Sequence, residues 1–563
     1  MMEWLNSMLT RYPELAVYLA LGVGYWVGSL KFGKFSLGGA TGSLLAGIGI
    51  GLLFKVPIPG MSKSIVFLMF LFGIGYEVGP RFFGGMKGTG WRFVLLGSFV
   101  PVVGLFTAWA VARGMGLDLG FSAGMMSGGL TESPAMGTAA EAINALKLDA
   151  ALTEKLVAHI GVADALCYVG GALGVILMCS TIGPWLLRID VREEAVKLEA
   201  SLGIKRNKAG IFSAWQPFVY RAYRVDPAAR VVGKTVAEAE RLIPDTRLFV
   251  QRLRRGDAII EAEPATRIEA GDVAVICGRS EVVVETLGEL AQEVNDRELL
   301  DIPVASFEIF VTSKAAVGRR LGEMAKDDAV RGVFLKRLVR YGQDIPIGLQ
   351  TVVQRGDVMH VVGSETAVLR VARILGEVVS PTETTDFVAV GLAIFVGAVL
   401  GAAAAFTVGG VQVSIGTSVG VLVAGIVTGY LRSVRPLFGH VPDGAVKFMQ
   451  SIGLAGFVAM VGIGAGPHFI EGVREVGVRV LMGGLIVTMT PLVAGLYFGR
   501  YVLKINPLLL LGALAGAQTF TPGLAAVQEK SGSSIAVLGY SGAVPIGHIL
   551  LTVWGTAIIL LLS

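Results

Sequence analysis

Two short polar blocks interrupt otherwise apolar sequence: Gly-Gly-Leu-Thr-Glu-Ser-Pro at 128–134 and Gly-Ala-Gln-Thr-Phe-Thr-Pro at 516–522. Each sets glycines, hydroxyls and a proline together, and the proline leaves a backbone carbonyl without its helical donor. Irregular backbone at membrane depth is tolerated only where it is buried in protein or lines a cavity. Each block therefore reads as a broken helix or the tip of a re-entrant hairpin. A helix beginning after Pro134 or Pro522 would aim its positive end at an anionic group. Thr131, Ser133, Thr519 and Thr521 supply hydroxyls beside it, and Gln518 adds a donor. Together with free backbone amides they could hold a small carboxylate without a buried lysine. A kink in a plain span explains one such block; it explains two at matching positions less well.

Glu132 lies between two of these hydroxyls. It either binds a coupling proton or cation, or caps the helix that follows. Few other ionisable residues fall in apolar sequence: Glu77, Arg81, His159, Asp164, His468 and His548. Charges inside a span usually face a pathway, so Glu77, Arg81, Asp164, His468 and His548 are candidates for pathway or coupling roles. Arg81 and His468 each follow a Gly-Pro pair, where snorkelling to the interface also accounts for them. Asp164 could pair with His159, although a spacing of five does not place both on one helix face.

The elements that must position these groups follow from the charge distribution. Of 563 residues 53% are hydrophobic and 16% charged, well below the quarter or so typical of soluble domains. Residues 188–386 hold 29 of the 48 Lys and Arg and 30 of the 43 Asp and Glu, so a polar insert separates two apolar flanks. Stretches near 15–30, 36–54, 64–80, 91–112 and 157–187 are apolar enough to cross a bilayer, as are 386–407, 414–430, 448–467, 477–499 and 535–562. The first lacks the charged start and cleavage site of a signal peptide and reads as a retained span. Five crossings per half put the amino terminus and the insert on opposite sides. The Lys/Arg bias then places the insert, residues 191–385, in the cytoplasm. The net charge of +5, without a basic run carrying interleaved aromatics, argues against nucleic acid as a partner. Cys167, Cys179 and Cys277 form no ligand cluster, so neither metal nor redox chemistry is indicated and no cofactor is expected.

The halves repeat. Gly38, Gly42, Gly47 and Gly51 match Gly416, Gly420, Gly425 and Gly429; Gly79-Pro80 matches Gly466-Pro467; and the block from Gly124 matches that from Gly512, aligning Thr131 with Thr519 and Ser133 with Thr521. Odd-numbered halves around one insert must have opposite orientation, the inverted-repeat plan of many secondary transporters. The glycine rows are mainly a signature of close helix packing. The expected architecture is a polytopic α-helical membrane protein of about five spans and a re-entrant or broken helix per half, at 1–190 and 386–563. Between them come a linker at 191–219 and two small α+β modules at 220–297 and 298–385. The modules repeat at an offset of about 85, with Gly271-Asp272 matching Gly356-Asp357, and contain no complete Rossmann fingerprint.

This order of apolar half, two modules with a GDVxxxxG signature and second apolar half resembles the bacterial aspartate:alanine exchanger family. The resemblance extends to the Gly-Pro segment from Gly75 to Phe83 and the Thr-x-Ser/Thr-Pro blocks. The modules resemble the TrkA carboxy-terminal (RCK-C) domain. The resemblance implies an antiporter of the bacterial inner membrane for small carboxylates or amino acids, of aspartate/alanine or dicarboxylate type, and not an enzyme. It also implies regulation by the cytoplasmic modules, which would pair into a homodimer and could take a small-molecule effector. An ion channel or cation transporter gated by such modules is the alternative; the absence of a TVGYG-like filter weighs against it.

Overall fold

The computed structural model describes residues 2–563 except 33–34, 37, 86–89, 147, 202–217, 243–247, 281–282, 284–290, 341–342, 379–383, 409–410, 415 and 435–437. The chain forms two compact units, one of residues 1–201, 340–346 and 381–563, the other of 202–339 and 347–380.

The first unit is helical and built twice from the same sequence of elements. After α1 (Met2–Arg11), helix α2 (Pro13–Ser29) leads through a two-stranded hairpin to α3 (Gly39–Leu53), α4 (Gly60–Gly85) and α5 (Trp91–Met115). Then come α6 (Leu119–Gly129), α7 (Pro134–Ala145) and α8 (Ala150–Leu177), which a π turn at Met178–Ile182 extends to Leu187. Helix α9 (Val191–Ser201) follows and buries Val191 and Ala195. Beyond the insert, α10 (Phe387–Ala403), a second hairpin, α11 (Thr417–Val434), α12 (Asp443–Tyr497), α13 (Pro507–Ala517), α14 (Thr521–Ser531) and α15 (Val537–Leu562) run in corresponding order. Among the described residues, five helical segments are long and apolar enough to cross a membrane: 60–80, 91–115, 150–187, 443–502 and 537–562.

One expectation about the spans fails. The spans read at 448–467 and 477–499 are one continuous helix, α12, with Pro467 and Pro491 inside it. Its 55 residues amount to roughly 80 Å of helix at 1.5 Å per residue. The reason is local: residues 468–476 contain no proline and a single glycine, whereas the corresponding stretch of the first half, 81–89, holds three glycines. A turn signal present in one copy is missing in the other.

The packing exchanges partners between the halves. Helix α3 lies on α12 and α11 on α4; α5 lies on α15 and α8 on α12. The glycine rows make these approaches. A Cβ on Gly51 would fall 2.1 Å from the Ile463 carbonyl oxygen, and one on Gly429 would fall 2.0 Å from that of Tyr76. Registers give directions. Gly73 meets Gln450, Gly453 meets Phe70 and Gly456 meets Val66, so α4 and the first part of α12 are antiparallel. Gly120, Gly124 and Gly128 lie against Leu156, Ile160 and Asp164, so α6 and α8 are parallel; Gly512 and Gly516 against Ala536 and Tyr540 make α13 and α15 parallel. Since α6 and α8 point the same way, α7 doubles back between them, and α6–α7 is a helical hairpin. By the same reasoning α13–α14 is another.

In the second unit, strands Leu248–Arg255, Val273–Arg279, Phe218–Arg224 and Gln292–Glu293 lie side by side in that order, and Val333–Arg340, Val358–Ser364, Val304–Val311 and Gly376–Val378 repeat the order. The two Gly-Asp turns are built alike. Gly271 and Gly356 have φ of +84° and +87°, a left-handed conformation that favours glycine, and Asp272 and Asp357 are buried behind them. The Arg255 guanidinium holds Asp272 at 2.9 Å. Arg254 pairs with Asp296 and Glu298, and its guanidinium holds the Asp296 carboxyl below the usual carboxylate range. Arg331 joins the two modules, bonding Glu240 at 2.5 Å and the Val250 carbonyl at 2.8 Å.

Candidate functional site

The tips of the two hairpins meet. Helix α6 ends when Glu132 N–H donates to Ser127 O and Thr131 N–H to Gly128 O; α13 ends when Phe520 N–H donates to Ala515 O and Thr519 N–H to Gly516 O. Each pair of bonds is a Schellman closure, whose pivot residue is left-handed and usually glycine. Here the pivots are threonines, Thr131 at φ 57° and Thr519 at φ 54°. A β-branched residue in that region is an outlier, costing on the order of 1–3 kcal/mol, and such strain clusters at functional sites. What it secures is two hydroxyls facing across the junction. The Thr131 hydroxyl donates to Gln518 O at 3.0 Å, and that of Thr519 to Glu132 Oε2 at 2.6 Å.

Glu132 is the centre of a wider network. Its second oxygen, Oε1, accepts from the Thr552 hydroxyl at 3.2 Å and faces His548 Nδ1 at 3.3 Å, both groups carried by α15. The carboxylate is 2% exposed. Gln518 is fully buried, and neither atom of its amide has a hydrogen-bond partner among the described residues. Helices α7 and α14 start at the same junction, each with a proline in its first two positions. Four helix ends therefore converge, two of negative partial charge (α6, α13) and two of positive (α7, α14).

Of the residues read as binding groups, Thr131, Glu132, Gln518 and Thr519 share this network. Ser133 begins α7 without a side-chain cap bond, and Thr521 pairs with the Tyr540 hydroxyl at 2.8 Å. The expected free amides are partly occupied: those of Ala135, Met136 and Gly523 bond Glu132 O, Ser133 O and Phe520 O. Among the pathway candidates, His548 joins the network through Glu132. Asp164 lies one helix away on α8, its Oδ1 accepting from the Ser127 hydroxyl of α6 at 2.5 Å. Its suggested pairing with His159 does not occur. His159 instead bonds Asp118 at 2.6 Å and stacks on Phe121, because residues five apart point to different sides of α8. Glu77 accepts from Gln450 across the α4–α12 interface at 2.7 Å, and His468 sits half-buried after Pro467 on α12; no described contact brings either to the tips. Arg81 falls in α4, but its side chain lies outside the described residues.

Two functional candidates escaped the sequence reading. Glu141, near the end of α7, clasps the start of α11: Thr417 N–H and hydroxyl both donate to Oε1 at 2.7 Å, and Ser418 N–H donates to Oε2 at 3.3 Å. A carboxylate at a helix start is favoured by both the free amides and the dipole. Its signal was available, since Glu529 occupies the matching place in the other repeat. Asp118 is the second. It caps α6 through Phe121 N–H, as its counterpart Asn506 caps α13 through Leu508 N–H.

Comparison with known proteins agrees with this architecture. The aspartate–alanine exchanger model, described as a predicted permease membrane region, matches residues 16–184 and 389–560. The TrkA-C domain matches residues 220–290. An uncharacterized transporter of Bradyrhizobium diazoefficiens is 48% identical over 92% of this chain and the whole of its own length. Uncharacterized transporters of Shewanella oneidensis, 37% identical over both full lengths, and of Bordetella bronchiseptica, 36% identical over 99% of this chain and 98% of its own, are similar throughout.

Proposed function

The chain belongs to the aspartate–alanine exchanger family of multi-pass inner-membrane transporters, with its TrkA-C segment in the cytoplasm, and from that membership we propose an antiporter that exchanges small carboxylates or amino acids at the junction of the two hairpin tips. The observation that carries the proposal is Gln518, an amide fully buried at that junction with both polar atoms unpartnered. Leaving such groups unsatisfied costs about 1–3 kcal/mol, a cost that a substrate carboxylate offsets when it arrives. The carboxylate is held by the Gln518 amide, by hydroxyls of Thr131, Ser133, Thr519 and Thr521, and by the positive ends of α7 and α14. The negative ends of α6 and α13, with Glu132, suit an amino-acid ammonium as well. Glu132 and His548 set the charge of the empty site.

Alternating access follows from reading the halves as inverted repeats. The antiparallel register of α4 on α12 and the exchange of partners between halves support that reading, because equivalent elements packed head to tail imply an axis lying in the membrane plane. Opposed hairpins then give one gate to each side. In the insert, the repeated strand order supports a second TrkA-C-like module, and the pair forms the homodimer contact and takes any small-molecule effector. The test is ligand-dependent stabilisation of the purified protein: a bound substrate raises the melting temperature by mass action. Aspartate, alanine, glutamate and succinate are to be compared. At least one should stabilise the wild type and fail to stabilise Gln518→Leu; no shift with any of them would contradict the site.

A further inference from the structure

Asp164 is the carboxyl group among the buried polar groups that the described residues leave without a full set of partners, the others being the Gln518 amide and the Ser43 and Tyr220 hydroxyls. It is 1% exposed, Oδ1 takes the Ser127 hydroxyl, and Oδ2 has no hydrogen-bond partner among the described residues. Nor does any cation pair with it there; the histidine of its own helix, His159, is taken by Asp118. An ionised carboxylate in such a place costs several kcal/mol unless a cation arrives, and the usual resolution is to neutralise it.

The surroundings decide which cation. Helices α6 and α8 interlock at this point. A Cβ on Gly124 would lie 2.2 Å from Ile160 O, and one on Gly128 would lie 2.7 Å from Asp164 O and 2.9 Å from the Cys167 Cβ. Calcium and magnesium take six or more oxygens and zinc four ligands, whereas the described structure puts the hydroxyl of Ser127 on this carboxylate, with Ser133 nearby, and no cluster of three His, Cys, Asp or Glu is found among the described residues. A proton needs neither space nor further ligands. Among the described residues, the titratable groups beside Asp164 are Cys167 and Tyr168 on α8, with Glu132 at the entry to α7 beyond Tyr168. Helices α6 and α3 contain no ionisable residue, and the α12 residues packed here, Val461, Ala465, Val480 and Gly484, carry none either.

We propose that Asp164 is a proton-binding site of the transport cycle, occupied in the conformation seen here. The proton comes from hydronium, whose O–H bond breaks as the Asp164 O–H bond forms, and it returns to water by the reverse step. Losing it places an unpaired charge between α6 and α8, against the arm of the first hairpin, so release and hairpin movement are linked. The coupling to exchange rests on the antiporter reading; the proton itself does not.

Two measurements separate these. Infrared difference spectroscopy of the full-length protein in lipid at neutral pH should show a protonated-carboxyl stretch that Asp164→Asn lacks and Glu132→Gln retains. If Asp164→Asn does not fold, Asp164→Glu should shift the band. A band unchanged in the Asp164 variant, or none in the wild type, would overturn the proposal. In vesicles loaded with a pH-sensitive dye, wild-type counterflow should move protons with substrate, and Asp164→Asn should exchange substrate without moving protons. Counterflow with the same proton movement in Asp164→Asn would also overturn it. A carboxyl band without any counterflow would instead sink the antiporter and leave the proton site standing.

Discussion

The two helical hairpins share a backbone and differ in the side chains at their tips. Both end their first arm on a left-handed threonine, both start the second arm with a proline, and both cap the entering helix with an Asx residue, Asp118 or Asn506. Yet the first tip carries Glu132 where the second has Phe520, and the second carries Gln518 where the first has Leu130. The far ends differ as well. Gly416, at the start of α11, has the Glu141 carboxylate at 3.1 Å from where a Cβ would be, while its counterpart Gly38 has open space. The two hairpins thus share a frame, and at their tips each carries a polar side chain where the other has an apolar one. On the proposed antiporter reading, a shared frame serves two opposed gates and the differing side chains serve one substrate.

Substitutions at matching positions can break this comparison. The largest effect is expected from Glu132→Gln, which weakens charge-assisted bonds to Thr519 and Thr552. At about 1.5–3 kcal/mol for each hydrogen bond to a charged group, exchange should fall roughly a hundredfold, whereas Phe520→Leu at the mate position should change it little. Next, Gln518→Leu makes the second tip resemble the first. Apparent substrate affinity should fall by more than about tenfold while the melting temperature of the empty protein rises, because an unsatisfied buried amide is removed. A fall in both would mean that Gln518 is structural.

The threonine pair sharpens the symmetry. Thr131→Ala and Thr519→Ala should each cost about tenfold in affinity for the loss of one hydroxyl. Thr131→Gly and Thr519→Gly should lose similar affinity yet be more stable than the alanine variants, since glycine relieves the left-handed strain. The smallest effect concerns the clasp. Glu141→Gln gives up about 1 kcal/mol of helix-end interaction, so a cysteine replacing Ala140 should react with maleimide roughly fivefold faster. Equal rates would mean that the clasp does not hold the hairpin arm closed.

Much of the frame was legible because membrane helices are written in long apolar runs. The polar blocks at 128–134 and 516–522 stood out because hydroxyls, glycines and a proline are costly there without a purpose. What could not be read was pairing in space. The α6–α8 register that brings Ser127 to Asp164 spans 37 residues, and the approach of Thr552 and His548 to Glu132 spans some 420. Nothing local signals either. The Asp164–His159 expectation failed for the opposite reason: nearness in sequence suggested a contact that helical geometry forbids. Helix α12 escaped because Glu471, Arg474 and Glu475 interrupt the apolar run, although residues 468–476 hold no proline that would end a helix.

The most direct test of exchange at a shared site is counterflow of labelled aspartate, alanine, glutamate and succinate in proteoliposomes holding the purified full-length chain. Label should accumulate only when an unlabelled substrate is trapped on the opposite side, and Gln518→Leu should lose that accumulation. Uptake that proceeds without any trans substrate, or a conductance that persists in its absence, would contradict the exchanger and favour a gated channel.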